Sequence, residues 1–317
     1  MLITGISGFA GGHLARHCAA QGAEVVGLGK RPAADVELPD EVAAYVQADL
    51  RDAAAARAAV KETAPDRVFH LAASASVAES WRDPAATMGV NVLSAVNLFE
   101  AVREAAPQAR VLSVGSGEQY GEPERLPMDE QHPQRPRNPY ALSKAATELA
   151  AAFYADVHGL DIVRARAFNH AGPGQADLYV SASFARQIAE AEARDPDGAM
   201  EVVTGNLETR RDFTDVRDVV RAYWLLLEGA APGAYNVCRG ESVRTADILA
   251  TLARLARIDV EQRTDPQLVR EGEVMEIRGT HDKLTEATGW MPEIPLDETL
   301  RDTLDWWRER VAAGAAR

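Results

Sequence analysis

Along the first half of the chain, short runs rich in β-branched residues alternate with longer alanine-rich stretches. The runs MLIT, EVVGL, RVFHLA, RVLSVGS and DIVRARAF show no strict alternation of apolar and polar positions. A strand can dispense with that alternation only where both of its faces are covered, so these segments are predicted to be buried parallel strands. Between them lie ARAAVKETA, NVLSAVNLFEAVREAA and YALSKAATELAAAFYADV, whose strong helix formers and apolar spacing predict helices. Strand and helix in alternation give an α/β fold with a Rossmann-type, doubly wound parallel sheet.

The pattern loosens after Phe168. FNHAGPGQ reads as a turn-rich switch, and the segment from there to about Glu208 is expected to supply one helix and a connecting strand. DFTDVRDVVRAYWLLLEG reads as a loop feeding a helix and AYNVC as a further short strand; the tail from about Glu241 holds more helices, the last with Trp306 and Trp307. Two lobes are expected: residues 1–168 with 212–240 form the sheet domain, and residues 169–211 with 241–317 a smaller, discontinuous C-terminal domain. A chain of 317 residues with 46% hydrophobic content is also larger than one core usually grows.

A formal net charge of -14 argues against nucleic acid or an anionic membrane as partner, because such a surface repels phosphates. Any bound phosphate then needs a local cluster of Arg, Lys and backbone N–H groups. Cys18 and Cys238 have no paired spacing, which suggests neither a disulfide framework nor a metal site and points to a cytoplasmic location. MLITGISGFAGG lacks a basic leader, and no apolar run reads as long enough to cross a bilayer.

The first strand runs into GISGFAG, with Gly5, Gly8 and Gly11 at a G-x-x-G-x-x-G spacing. Directly after a strand and before a helix, glycines allow a tight turn and let the backbone approach a pyrophosphate, whose charge the helix N-terminus favours. At the end of the second strand stand Lys30 and Arg31, where an NAD-selective site offers a carboxylate to the ribose. Cations there favour the 2′-phosphate of NADPH, unless they are ordinary surface charge. Asp49 and Leu50 close an apolar run suited to the adenine, and Leu71, Ala72 and Ala73 end the fourth strand beside the cofactor.

In NPYALSKAA, Tyr140 and Lys144 are four residues apart and share one helix face, so the ammonium is expected to lower the phenol's pKa and to reach the cofactor ribose. Ser116, at a strand end in GSGEQYG, completes a Ser/Tyr/Lys set, and Glu118 adds a carboxylate that a ketone reductase does not need and an eliminating enzyme does.

These residues make the chain resemble the extended short-chain dehydrogenase/reductase family: Gly5, Gly8, Gly11, Asp49, Asn91, Ser116, Tyr140 and Lys144 stand at its marker positions, over nearly the whole chain. The resemblance implies an enzyme in which Ser116 and Tyr140 bond the substrate oxygen while hydride moves to or from a nicotinamide. Phe9 and Asn91 join the implied cofactor residues, Asn91 also supporting the site. FNHAGPGQ, GNLETRRDF, AYNVC and LVREGEV resemble the GDP-sugar branch, its GDP-4-dehydro-6-deoxy-D-mannose reductases first and its GDP-mannose 4,6-dehydratases next. By that resemblance Asn169 contacts the sugar diphosphate, Asn206 and Arg211 the nucleotide, Arg270 a phosphate and Glu273 the guanosine ribose, with Ser76, Ser80 and Val180 also at the substrate. REGEV departs from the branch's Arg-Pro-Ser/Thr-Glu-Val by lacking the proline. His170 is open between a substrate contact and a structural hydrogen bond, and Trp81 between the substrate loop and packing.

The implied activity is NADPH-dependent reduction, NADH being the alternative cofactor, of the 4-keto group of a GDP-linked 6-deoxyhexose. The product is GDP-D-rhamnose or its 4-epimer GDP-6-deoxy-D-talose. GDP-mannose 4,6-dehydratase and a non-catalytic dinucleotide-binding protein stay open. A homodimer is implied through the helices near Asn91–Ala106 and Tyr140–Gly159.

Overall fold

Seven segments pair into one sheet in the computed structural model, which describes residues 1–268 and 274–314. Across the sheet the strands run Gly233–Val237, Ile162–Ala167, Arg110–Ser116, Arg67–His70, Leu2–Thr4, Val25–Gly29 and Val42–Gln47, every neighbouring pair parallel. The five runs predicted as strands are all present, and AYNVC supplies one edge. Helices Phe9–Ala20 and Val216–Gly229 cover one face, placing Leu14, Val219 and Leu226 on Ile3, Phe69 and Val163. Helices Ala53–Thr63, Ser94–Ala105 and Pro139–His158 cover the other, with Val60, Leu98, Phe99 and Ala151 on Leu28, Val68 and Val111. Each large apolar side chain so buried contributes roughly 1.5–3 kcal/mol before entropy is counted.

Strand order reverses between Leu2–Thr4 and Arg67–His70, which opens a crevice beyond their ends. Gly5 turns the chain there with φ +72°, and a Cβ at this position would lie 2.8 Å from the Ala72 backbone nitrogen. Glycine is therefore required both for the turn and for the close approach of the two loops. Thr4 ties the same ends together: its hydroxyl accepts the Ala72 N–H at 3.1 Å and bonds His70 Nδ1 at 2.8 Å.

Two expectations need correction. Pro84–Ala105 is one continuous helix of 22 residues, with a wide turn at Gly89–Leu93, and is long and apolar enough by composition to cross a membrane. The expectation failed because Asn91, Asn97 and Glu100 break up the run in sequence without breaking the helix; Ala95, Leu98, Phe99 and Val102 face the sheet core. DFTD, read as a loop, lies in the strand Arg210–Asp215 at the centre of the smaller lobe. Its two aspartates, Asp212 and Asp215, have internal partners that a hydropathy pattern does not reveal. Asp212 is fully buried and accepts the N–H groups of Arg239, Gly240 and Gly279 at 2.8, 3.0 and 3.3 Å, while burial pushes its carboxyl up to about 7 against those bonds. Asp215 caps the next helix through the Arg217 N–H at 2.7 Å.

Phe184, Ile188, Phe213, Leu252, Leu304 and Trp307 form the core of the smaller lobe. Leu284 and Trp290 instead join the core under the sheet, where Trp290 Nε1 donates to the Asp218 carbonyl at 3.0 Å.

Burial, aided by the Lys144 charge, pushes the His70 imidazole down to about 3. Below its ordinary value of 6.5 the unfolded ring takes a proton that the folded ring refuses until about pH 3, so stability is lost as pH falls through that window. His70→Gln is expected to flatten the dependence of the urea midpoint on pH between about pH 7 and about pH 5. An unchanged slope would assign the acid sensitivity to other groups.

Candidate active site

A cavity of about 1010 Å³ lies beyond the C-terminal ends of the strands, between the sheet and the smaller lobe. Its wall contains Gly5, Gly8, Phe9, Gly11, Lys30, Arg31, Asp49, Leu50, Leu71, Ala72 and Ala73 from the first, second, third and fourth strand ends. Ser116 and Glu118 follow the Arg110–Ser116 strand, Tyr140 and Lys144 come from one helix, and Asn169 and Val180 from the smaller lobe.

Helix Phe9–Ala20 begins at Gly8 with no side chain capping its first N–H groups, which face the cavity as an anion site. A Cβ on Gly11 would lie 2.4 Å from the Gly5 carbonyl oxygen, so glycine lets this helix sit against the turn. The Lys30–Arg31 turn is held from beneath, where Tyr45 donates to the Arg31 carbonyl at 2.7 Å and Gln47 to the Lys30 carbonyl at 3.4 Å. Arg31 donates to the Ser7 hydroxyl at 3.2 Å. Arg51, which sequence reasoning missed, also lines the cavity and donates to Asp49 through Nε at 3.0 Å. That bond holds the Asp49 carboxyl down at about 2. Ser7 precedes Gly8 and Arg51 follows Leu50, and that adjacency to residues singled out was the available signal.

Asn138 starts the helix that carries the Tyr/Lys pair, accepting the Ala141 N–H at 2.7 Å, and Pro139 fits its first turn. Ser116 accepts the Glu118 N–H at 3.2 Å and hydrogen-bonds Tyr140. Lys144 donates from Nζ to the Val114 carbonyl at 2.8 Å, and burial pushes its ammonium down to about 8. The expected depression of the phenol is not found. Burial pushes Tyr140 well above its ordinary value, the Ser116 bond opposes this, and Tyr179 and Glu118 add to the rise. Tyr140 is thus a neutral phenol near pH 7, suited to giving a proton. Glu118 accepts from Asn138 Nδ2 at 3.3 Å.

Other predicted residues stand away from the cavity wall. Asn91 sits behind it, accepting the Ser74 N–H at 2.7 Å and donating to the Ser74 carbonyl and the Ser143 hydroxyl at 3.1 and 2.7 Å. It braces the loop after the fourth strand against the Tyr140 helix and does not itself line the cavity. Ser76 caps the short helix Val77–Arg82, and Ser80 donates back to the Val77 carbonyl at 2.7 Å, leaving Ser74, Ala75 and Val77 to face the cavity. Asn206 accepts the Glu208 N–H at 3.0 Å and Arg211 donates to the Arg210 carbonyl at 2.9 Å, both outside this wall. Trp81 is exposed and also outside it. Arg270 and Glu273 lie outside the described residues.

His170 lines the cavity, stacked on Phe9 at 5.8 Å between ring centroids, with Nδ1 bonded to the Phe168 carbonyl at 3.1 Å. Burial pushes its pKa down. The structural hydrogen bond left open for it is therefore present, and the ring also lines the cavity. Gln175 and Tyr179 also line the cavity; Gln175 closes the FNHAGPGQ run, which was the available signal, whereas nothing in its local sequence marks Tyr179. Tyr179 precedes helix Val180–Arg194, a second helix that opens on the cavity without a side-chain cap.

Residues 2–303 match the family model described as GDP-mannose 4,6 dehydratase. The GDP-6-deoxy-D-mannose reductase of Pseudomonas aeruginosa is 37% identical over 314 residues, which cover 98% of each chain. The GDP-mannose 4,6-dehydratase of Yersinia enterocolitica is 27% identical, covering 94% of this chain and 90% of that one. Among solved structures, RMD from Pseudomonas aeruginosa complexed with NADPH superimposes with a TM-score of 0.85 at 35% identity, covering 98% of this chain and 99% of that one. With a Ser/Tyr/Lys set beside a glycine turn at the sheet's switch point, the chain belongs to the GDP-mannose 4,6-dehydratase family of extended short-chain dehydrogenase/reductases.

Proposed function

We propose that the protein reduces the 4-keto group of GDP-4-dehydro-6-deoxy-D-mannose with NADPH, giving GDP-D-rhamnose; presentation of the other ketone face would give GDP-6-deoxy-D-talose. The observation that carries this reading is the convergence of a serine hydroxyl, a neutral phenol and a buried lysine on one cavity wall. The reductase name of the Pseudomonas relative and the NADPH in the similar structure support the choice.

The residues fit such a cofactor. The uncapped N-terminus at Gly8 suits its pyrophosphate, and Lys30, Arg31 and Ser7 suit a 2′-phosphate. When bound, the reduced nicotinamide supplies the hydride. Ser116 donates to the ketone oxygen and Tyr140 gives its proton to the developing alkoxide. Lys144, one helical turn from Tyr140, offsets the charge left on the phenolate and binds the ribose. The second open helix N-terminus, at Val180, suits the diphosphate of the sugar nucleotide, beside Asn169.

Glu118 favours one competing reading. A carboxylate beside the Ser/Tyr pair could remove the proton next to a new ketone, as a GDP-mannose 4,6-dehydratase requires. The run here is Ser116-Gly117-Glu118, at the end of the strand that carries Ser116, and we assign Glu118 to orienting the sugar instead.

The assembly we propose is a homodimer. Leu142, Leu149, Phe153 and Val157 form one exposed stripe on helix Pro139–His158, 51%, 73%, 50% and 61% exposed, with Leu93 beside it on the neighbouring helix. A second copy would cover this apolar face.

Purified protein should consume one NADPH per 4-keto sugar reduced and leave GDP-mannose unchanged. Tyr140→Phe is expected to lose at least ~10²-fold in kcat while keeping NADPH affinity, with Glu118→Gln losing less. Conversion of GDP-mannose to the 4-keto sugar without net cofactor use, abolished by Glu118→Gln, would establish the dehydratase instead.

Replacing Lys30 and Arg31 together by Ala should weaken NADPH more than NADH, measured by titration of each. Equal losses would remove the 2′-phosphate assignment.

Sedimentation at micromolar concentration should show a dimer that Leu149→Asp with Phe153→Asp converts to monomer. A wild-type protein that is already monomeric refutes the interface.

A further inference from the structure

Ser116 has a second attachment, outside the cavity wall. Its backbone N–H donates to Gln119 Oε1 at 2.7 Å, and Gln119 Nε2 donates to Glu148 Oε2 at 2.7 Å. Gln119 is fully buried, and Glu148 and Arg166 nearly so. Arg166 grips Glu148 through Nε at 2.9 Å and through Nη2, while its Nη1 donates to the Tyr120 hydroxyl and the Glu130 carbonyl at 2.7 and 2.9 Å.

An ionised carboxylate can only accept hydrogen bonds, so Glu148 permits one orientation of the Gln119 amide. The NH₂ must face Glu148 and the carbonyl oxygen must face Ser116. The reversed amide would set acceptor against acceptor at one end and donor against donor at the other. Arg166 keeps the arrangement polarised: burial pushes Glu148 up, and Arg166 together with Gln119 and Arg164 more than reverses this. Gly115 leaves the room, since a Cβ there would lie 2.4 Å from Gln119 Oε1. Glu148 also stands one turn beyond Lys144 on the same helix, so the relay links the serine turn to the helix of Tyr140 and Lys144.

We propose that Gln119, oriented by Glu148 and Arg166, is a positioning residue for Ser116, holding the serine turn in register with the Tyr140 helix so that hydroxyl and phenol meet the same substrate oxygen. The inference rests on the reading of Ser116 as a donor to the ketone.

The test compares wild type, Ser116→Ala, Gln119→Met, Gln119→Asn and the double variant Ser116→Ala with Gln119→Met, using NADPH and GDP-4-keto-6-deoxymannose. Met keeps the length without polar atoms; Asn keeps the amide one methylene short. Each Gln119 variant is expected to lose roughly 10- to 10²-fold in kcat, the scale of a misplaced reacting group. KM and NADPH affinity should stay within about two-fold, and the double variant should be no slower than Ser116→Ala alone. Unchanged kcat in both Gln119 variants, or losses that multiply in the double variant, overturn the positioning role and leave the reading of Ser116 standing. Wild-type turnover by Ser116→Ala overturns that reading and the proposal with it. Loss of NADPH binding in both Gln119 variants makes the residue a requirement of the fold and overturns a role confined to positioning.

Discussion

All seven strands of the sheet run in one direction, and helices occupy both of its faces, so the sheet meets solvent chiefly beyond its strand ends. The candidates at strand ends follow from that constraint. The glycine turn, the Lys30–Arg31 turn, the Leu71–Ala73 loop and Ser116 are all strand ends, and parallel pairing brings them to the same side. The reversal of order at the Leu2–Thr4 strand then opens the crevice between them, and the contact of Gly5 with Ala72 sets how closely its walls approach.

Charge is organised against the overall balance. The chain is strongly acidic, yet the cavity gathers Lys30, Arg31, Arg51 and Lys144 together with two open helix N-termini. Anions are therefore attracted by local groups within a surface that otherwise repels them. Deeper in, burial governs protonation. It holds Tyr140 neutral and brings Lys144 down to about 8, so that removing water does more to set the acid than the lysine's charge does.

Behind the reacting groups lies an ion pair that is costly to bury. Glu148 and Arg166 give up hydration that their mutual attraction only partly restores, and such pairs are weak contributors to stability. Here the pair has further partners: Gln119, Gln134, Tyr120 and the Glu130 carbonyl extend the network, and Tyr120 passes it to Asn236 at 2.6 Å. A satisfied network of this kind fixes geometry, because any member that turns leaves a buried group unpaired.

The sequence alone determined the doubly wound sheet, because covered parallel strands must be apolar on both faces and their covering helices must keep helical spacing. It also determined the glycine turn and the Tyr140/Lys144 pair, which depend on local spacing along one strand-to-helix turn and one helix. Where a property depends on what surrounds a residue, local pattern was silent or misleading. The strand Arg210–Asp215 looked like a loop because Asp212 is satisfied by distant backbone and Asp215 by Thr299 and the next helix; Ser76 and Ser80 hydrogen-bond within their own helix; the phenol of Tyr140 rises because burial outweighs the Ser116 bond. Gln119 within GSGEQYG and Arg51 after Leu50 adjoin residues singled out, yet nothing local gave their partners. Only the tertiary structure decided their places, since hydrogen-bond partners and loss of water are set by segments that meet after folding.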